Sequence, residues 1–208
     1  MKMNLANKLT VFRMILVPLI AIVPVIDSLM GGIPGEFLGV STAFLIMDAI
    51  FIIASITDKL DGYIARSRNQ VTTFGKFLDP LADKILVLAA LVILVEYSKI
   101  PSWVPIIVLA REFIVSGYRL LAVEKGGKVV AASIWGKLKT ATQMVAIALI
   151  FIDKYNFTDC FNKVELGMSN GAFALNIITT LLLTVSIIAT IFSGIDYLKD
   201  GKEYLKDA

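Results

Sequence analysis

Two stretches decide how this chain is built: Thr57-Asp58-Lys59-Leu60-Asp61-Gly62-Tyr63-Ile64-Ala65-Arg66 and Gly75-Lys76-Phe77-Leu78-Asp79-Pro80-Leu81-Ala82-Asp83-Lys84. The first continues an apolar run into a pair of acids; the second opens the next apolar run with another pair. On a helix, Asp58 and Asp61 (three residues apart) share a face, as do Asp79 and Asp83 (four apart). The connection between Arg68 and Lys76 is short, which predicts antiparallel neighbours with all four carboxylates at one bilayer surface. Four carboxylates at that range repel one another and resist ionisation unless cations neutralise them. Oxygen-only donors favour Mg²⁺, Mn²⁺ or Ca²⁺ over metals that need imidazole or thiolate. Two ions about 3.5–4 Å apart would suit four carboxylates and would clamp both oxygens of a phosphoryl transfer. The plainer alternative, acids solvated at helix ends, would hold for any one of them. Four at these spacings weigh against it, because acids beside hydrocarbon are costly and usually functional. Gly62 and Ala65 lie on the helical side of the first pair, where small side chains let a planar base or a phosphate approach the backbone. Tight helix packing would use the same residues.

Working outward, the composition names the solvent. Of 208 residues, 57% are hydrophobic and 18% charged, with a mean hydropathy of +0.80. That is too apolar for an ordinary soluble domain of this length. A net charge of +3 without a polar domain to carry it fits an anionic membrane surface and argues against nucleic acid as a partner. There is no histidine and one cysteine, Cys160. A disulfide framework, a Cys/His zinc site and a histidine base are therefore excluded, and acid–base work falls to carboxylates. Cys160 reads as a passenger thiol. Asn156-Phe157-Thr158 matches a glycosylation acceptor, a pattern short enough to arise often by chance.

Taking about 20 apolar residues per span, segments fall near 11 to 26, 40 to 60, 81 to 97, 101 to 123, 134 to 153 and 172 to 195. The prediction is an all-α polytopic membrane protein of six transmembrane helices in a single catalytic domain, residues 1 to 208. The first segment is short, carries Arg13 and is interrupted by Pro18 and Pro24, so a tilt or kink is expected there. Lys2 and Lys8 precede it as they would in a signal peptide, but no small-x-small cleavage pattern follows. With the N-terminus inside, exterior connections hold only Lys99, Lys154 and Lys163. The interior side collects Lys2, Lys8, Arg13, Arg66, Arg68, Lys76, Lys125, Lys128, Lys137, Lys139, Lys199, Lys202 and Lys206. Cytoplasmic flanks retain positive charge, so both termini and the aspartates are expected to be cytoplasmic, in a bacterial-type plasma membrane.

Read together, Asp58-x2-Asp61-Gly62-x2-Ala65-Arg66-x8-Gly75-x3-Asp79-x3-Asp83 resembles the signature of the CDP-alcohol phosphotransferase family at every fixed position. The resemblance implies that Asp58, Asp61 and Asp79 hold two Mg²⁺ or Mn²⁺ ions and that Asp83 is both ligand and general base. It further implies that Gly62, Ala65 and Arg66 lie against the CDP group, that Gly75 lets the chain turn under the substrate, and that Thr72 supports the diphosphate. Asn7-Lys8-Leu9-Thr10-x2-Arg13 looks like the family's segment before the first helix, with Asn7 and Thr10 in the CDP pocket. Ala6 stands where the family usually has proline, which puts the local turn in doubt. The implied fold is six transmembrane helices, commonly paired as a homodimer.

Other residues must choose the acceptor alcohol. Arg111 lies well inside the fourth segment, where a guanidinium without an anion would be expensive. Arg119, two turns on, falls within about a quarter-turn of the same face, and Lys137 and Lys139 open the fifth segment. Together they could form a phosphate pocket; the alternative is that Arg119 and the lysines snorkel to anionic headgroups. The stretches 110–119 and 135–140 resemble those of the subgroup whose acceptor is glycerol 3-phosphate. The expected reaction transfers a phosphatidyl group from CDP-diacylglycerol to glycerol 3-phosphate, with inositol phosphate as the alternative acceptor. An ion carrier would spread its acids across the bilayer depth, and an intramembrane prenyltransferase would lack the Asp-Gly-x2-Ala-Arg segment.

Overall fold

The computed structural model describes residues 5–67, 73–124 and 133–200, with side chains placed for 8–58, 81–82, 84–119 and 133–199. Six α-helices occupy the described residues: α1 (Leu5–Leu29), α2 (Thr42–Ser67), α3 (Thr73–Glu96), α4 (Trp103–Glu124), α5 (Ile134–Ile152) and α6 (Asn170–Asp200). Each covers one expected apolar segment. Pro18 and Pro24 both lie inside α1, which is a single 25-residue helix and so longer than the apolar run alone predicts. Two of the six, over Lys8–Leu29 and Asn170–Lys199, are by themselves long and apolar enough to cross a membrane. At 1.5 Å per residue the first of these rises about 33 Å, close to one hydrocarbon thickness.

The chain forms two compact units, one of Met1–Lys99 with Ala148–Asn156 and the other of Ile100–Ile147 with Phe157–Ala208. In the first, α1 packs on both α2 and α3. Among the described side chains of α1, Thr10, Arg13, Leu16, Ile20, Val23 and Pro24 are buried, while Phe12, Ile15, Leu19 and Ile22 are exposed. The three-to-four-residue spacing is that of one helical face, but both faces are apolar: Leu16, Ile20 and Val23 are inside with Thr10 and Arg13, and phenylalanine, leucine and isoleucines are outside. An apolar outward face with a buried arginine suits a helix in an apolar solvent. In lipid, burying leucine gains little by transfer, so packing and internal hydrogen bonds must hold the helices together. Phe151 of α5 provides some of that packing, with its ring centroid 6.2 Å from that of Phe44 and 6.3 Å from that of Phe51 on α2.

Lys99, in the connection between α3 and α4, is buried. Its Nζ donates to the carbonyls of Asp153 (2.7 Å), Lys154 (2.9 Å) and Tyr155 (3.4 Å), just past the end of α5, and lies 5.3 Å from the Phe44 ring centre. Carbonyls at a helix C-terminus lack amide partners, and a cation there meets both that need and the helix dipole. Between α1 and α2 the all-α expectation misses a small antiparallel hairpin, β1 (Glu36–Phe37) with β2 (Val40–Ser41). Its two-residue turn puts Leu38 (φ 53°) and Gly39 (φ 82°) in the left-handed region, the geometry that matches strand twist.

In the second unit α4 packs on α6. The buried face of α6 carries Asn176, Thr179, Thr180, Ser186, Thr190, Ser193 and Tyr197, and its exposed face Ile178, Leu181, Val185, Ile188 and Phe192. Hydroxyls on this face return to their own helix: Thr190 Oγ donates to the Ser186 carbonyl (2.6 Å) and Thr179 Oγ to that of Asn176 (2.9 Å). Leu183, Ile187 and Ala189 are buried beside these polar groups, and a helix that keeps its hydroxyls inward and turns an apolar face outward suits lipid.

Candidate active site

The aspartate signature falls on the ends of α2 and α3 that flank residues 68–72. Asp58 and Asp61 lie in the last three turns of α2, with Gly62, Ala65 and Arg66 following on the same helix. Asp79 and Asp83 lie on α3, and Gly75 is the third residue of that helix. Gly75 lies inside α3, which begins at Thr73, so the chain does not turn at this glycine as expected. Thr72 lies outside the described residues.

Asp58 is the one signature acid with a placed side chain, and it does not stand alone. A guanidinium nitrogen of Arg13 donates to its Oδ1 at 2.5 Å; the Arg13 side chain is wholly buried and that of Asp58 31% exposed. A buried guanidinium requires a counter-charge, and the α1–α2 packing supplies it. The pair leaves Asp58 Oδ2 for another partner. Asn7, Thr10 and Arg13 follow one another at three-residue steps along α1, with Asn7 in its first turn and Thr10 buried. The N-terminal segment of the sequence signature is thereby joined to its first aspartate.

The predicted acceptor cations fall in the second unit. Arg111 Nη1 donates to Glu112 Oε1 (2.9 Å) and its Nη2 to Ser193 Oγ of α6 (2.6 Å). Lys139 Nζ donates to the same Glu112 oxygen at 2.6 Å. Arg119 Nη2 donates to the Tyr197 hydroxyl at 3.0 Å, and the guanidinium carbons of Arg111 and Arg119 each lie 5.8 Å from the Tyr197 ring centre. Gly136 makes room for this arrangement, since a Cβ there would come within 3.2 Å of Arg111 Nη2.

Arg111 and Arg119 thus share one aromatic ring, as their placement on one face of α4 allows. Lys137 does not join them: it is exposed, whereas Lys139, buried, shares Glu112 with Arg111. The two lysines are two positions apart on a helix and so point to opposite sides. The anion that Arg111 was expected to face is, in the first instance, its own neighbour Glu112. The sequence reasoning also missed Ser193, Tyr197 and Gly136. A signal for the first two existed, because polar residues recur every three or four positions along the apolar α6.

Residues 3–193 match the family described as CDP-alcohol phosphatidyltransferase. A Bacillus subtilis (strain 168) protein named CDP-diacylglycerol--glycerol-3-phosphate 3-phosphatidyltransferase is 39% identical over 203 residues, 98% of this chain and 97% of the relative. A Haemophilus influenzae protein of the same name is 37% identical over 211 residues, covering 100% and 98% of the two chains. A Mycobacterium tuberculosis (strain H37Rv) protein named probable phosphatidylglycerophosphate synthase is 35% identical over 195 residues, covering 94% and 80%. With the aspartate signature at the ends of α2 and α3 and a match running through all six helices, this chain belongs to the CDP-alcohol phosphatidyltransferase family.

Proposed function

We propose that this chain transfers the phosphatidyl group of CDP-diacylglycerol to sn-glycerol 3-phosphate, giving phosphatidylglycerol phosphate and CMP. The observation that carries the choice of acceptor is the cation cluster of the second unit. Arg119 is held by a neutral phenol, and Arg111 shares the Glu112 carboxylate with Lys139 and donates its other arm to a neutral hydroxyl, an arrangement that suits a phosphate-bearing alcohol. Serine or choline would leave that charge unused. The names of the full-length relatives point the same way.

Asp83 takes the proton from the primary hydroxyl of glycerol 3-phosphate. That oxygen attacks the lipid-side phosphorus of the donor, the bond from that phosphorus to the CMP oxygen breaks, and CMP leaves. Asp58, Asp61, Asp79 and Asp83 form an all-oxygen donor set that fits two Mg²⁺ or Mn²⁺ ions; bound there, the ions would stabilise charge on the transferring phosphoryl group. Arg13 holds Asp58 in one orientation through its Oδ1. Asn7, Thr10, Gly62, Ala65, Arg66, Thr72 and Gly75 surround the CDP group. Arg111 and Arg119, with Lys139 at the start of α5, receive the acceptor phosphate, while Lys137, on the other side of that helix, does not share this cluster. Six membrane spans place this machinery and both termini on the cytoplasmic side of a bacterial-type plasma membrane, with acyl chains of the donor among membrane lipids and a second copy of the chain completing a homodimer.

The test is CMP release by purified protein from CDP-diacylglycerol with sn-glycerol 3-phosphate, inositol phosphate, serine or choline as acceptor. Release with glycerol 3-phosphate well above the other three is expected. Release with inositol phosphate in its place would keep the donor chemistry and overturn the acceptor.

A further inference from the structure

Three cations and one carboxylate meet in the second unit, and the identity of the groups between them is informative. Arg111 shares the Glu112 carboxylate with Lys139. Arg119 and the remaining arm of Arg111 use neutral oxygens, the Tyr197 hydroxyl and Ser193 Oγ. Tyr197 is 3% exposed, and both guanidinium carbons lie 5.8 Å from its ring centre, within range of the negative face of an aromatic ring. Arg111 and Arg119 are eight residues apart on α4, about 12 Å along the axis. One ring from α6 therefore gathers two like charges that helical spacing alone would separate.

A carboxylate would do this more strongly and would cancel the charge. One is at hand in sequence, since Asp196 precedes Tyr197 on α6, yet the hydrogen bond Arg119 makes to this part of α6 goes to the phenol. A neutral ring and hydroxyl can orient guanidinium groups without neutralising them. Each guanidinium has five N–H donors; Arg111 uses two in its bonds to Glu112 and Ser193 and Arg119 one in its bond to Tyr197, leaving donors over for a ligand oxygen.

We propose that Tyr197 is a positioning residue for the acceptor, holding Arg111 and Arg119 in register and still charged so that both act on the acceptor's phosphate. This rests on the acceptor assignment above and goes beyond it by naming a residue that need not touch substrate. The test compares wild type with Tyr197→Phe and Tyr197→Leu in steady-state kinetics, and measures binding of inorganic phosphate to each purified protein by calorimetry. Phe keeps the ring and loses the hydroxyl; Leu loses both. The expected KM for glycerol 3-phosphate rises about tenfold in Leu and about threefold in Phe, with kcat within about threefold and the KM for CDP-diacylglycerol within about twofold of wild type. Phosphate affinity should fall in the same order. A KM for glycerol 3-phosphate unchanged in both variants would overturn the proposal, as would a loss confined to kcat. Should Leu fail to fold, the Phe variant decides alone. Should wild type ignore glycerol 3-phosphate, the acceptor assignment falls, and the order of phosphate affinities still decides whether Tyr197 positions an anion site.

Discussion

Replacing Asp58 by alanine does two separable things. It removes the counter-charge that Asp58 gives a fully buried Arg13 guanidinium, and it removes a proposed metal ligand. Breaking a buried ion pair by deleting one partner costs about 3–5 kcal/mol, because the other charge stays in a medium that solvates it poorly. Asp58 keeps 31% exposure, so water screens part of the pair and the lower end, about 3 kcal/mol, is expected. For a chain of this size that corresponds to a fall in Tm of roughly 6–12 °C. Replacing Arg13 by methionine in the same chain takes the buried charge away, and a buried pair exchanged for apolar groups of similar volume is often neutral. Stability should then return to within about 1 kcal/mol of wild type. Activity should not return, because the ligand is still missing. Loss of a group that merely supports a metal ligand costs 10–100-fold, so both Asp58→Ala and the double variant should turn over at least about a hundredfold more slowly than wild type, and excess Mg²⁺ or Mn²⁺ should not restore the rate. The assays are thermal unfolding in mild detergent and CMP release over a metal titration. A double variant that regains activity together with stability would show that Asp58 only neutralises Arg13. An Asp58→Ala protein as stable as wild type would remove the ion pair from the account.

Three further outcomes follow from other contacts. Asp83→Asn keeps the shape of the side chain but cannot accept a proton, so turnover should fall by about 10²–10⁴ while CDP-diacylglycerol binding survives; turnover within tenfold of wild type would exclude Asp83 as the base. Arg111→Lys keeps the charge but has no planar fork to serve both Glu112 and Ser193. Its KM for glycerol 3-phosphate should rise about tenfold with much less change for CDP-diacylglycerol, and equal weakening toward both substrates would point to general misfolding. Lys99→Met removes a cation that binds three carbonyls beyond α5 and should cost about 2 kcal/mol in chemical unfolding without changing either KM; unchanged stability would refute the capping role.

The helices were legible because period and length survive in sequence. Each apolar run became a helix, and the α2–α3 aspartates stood out because charge at the end of an apolar run has few structural uses. The hairpin at Glu36–Ser41 was not legible: its turn puts Leu38, not the usual asparagine or glycine, at a positive φ. The sequence placed Lys99 in a connection but could not show its partners, the carbonyls past α5. In the site, residue types were readable but partners were not. Arg13 was visible as a charge in an apolar segment, and the rule that such charges are paired could have sent the search to Asp58. Glu112 and Tyr197 were hidden for a different reason. One is adjacent in sequence to the arginine it binds and the other comes from α6, and neither belongs to a spaced motif. Lys137 and Lys139 were expected in one pocket, but two positions on a helix put them on opposite sides, and only Lys139 meets Glu112.

The most direct measurement of the central claim follows atoms from acceptor to lipid. Purified protein in nanodiscs is given CDP-diacylglycerol, Mg²⁺ and deuterated sn-glycerol 3-phosphate together with unlabelled inositol phosphate, and the lipid product is weighed by mass spectrometry. The account predicts one product, phosphatidylglycerol phosphate carrying the full deuterium label, formed in step with CMP. A lipid carrying inositol phosphate, or CMP released without any labelled lipid, would contradict it.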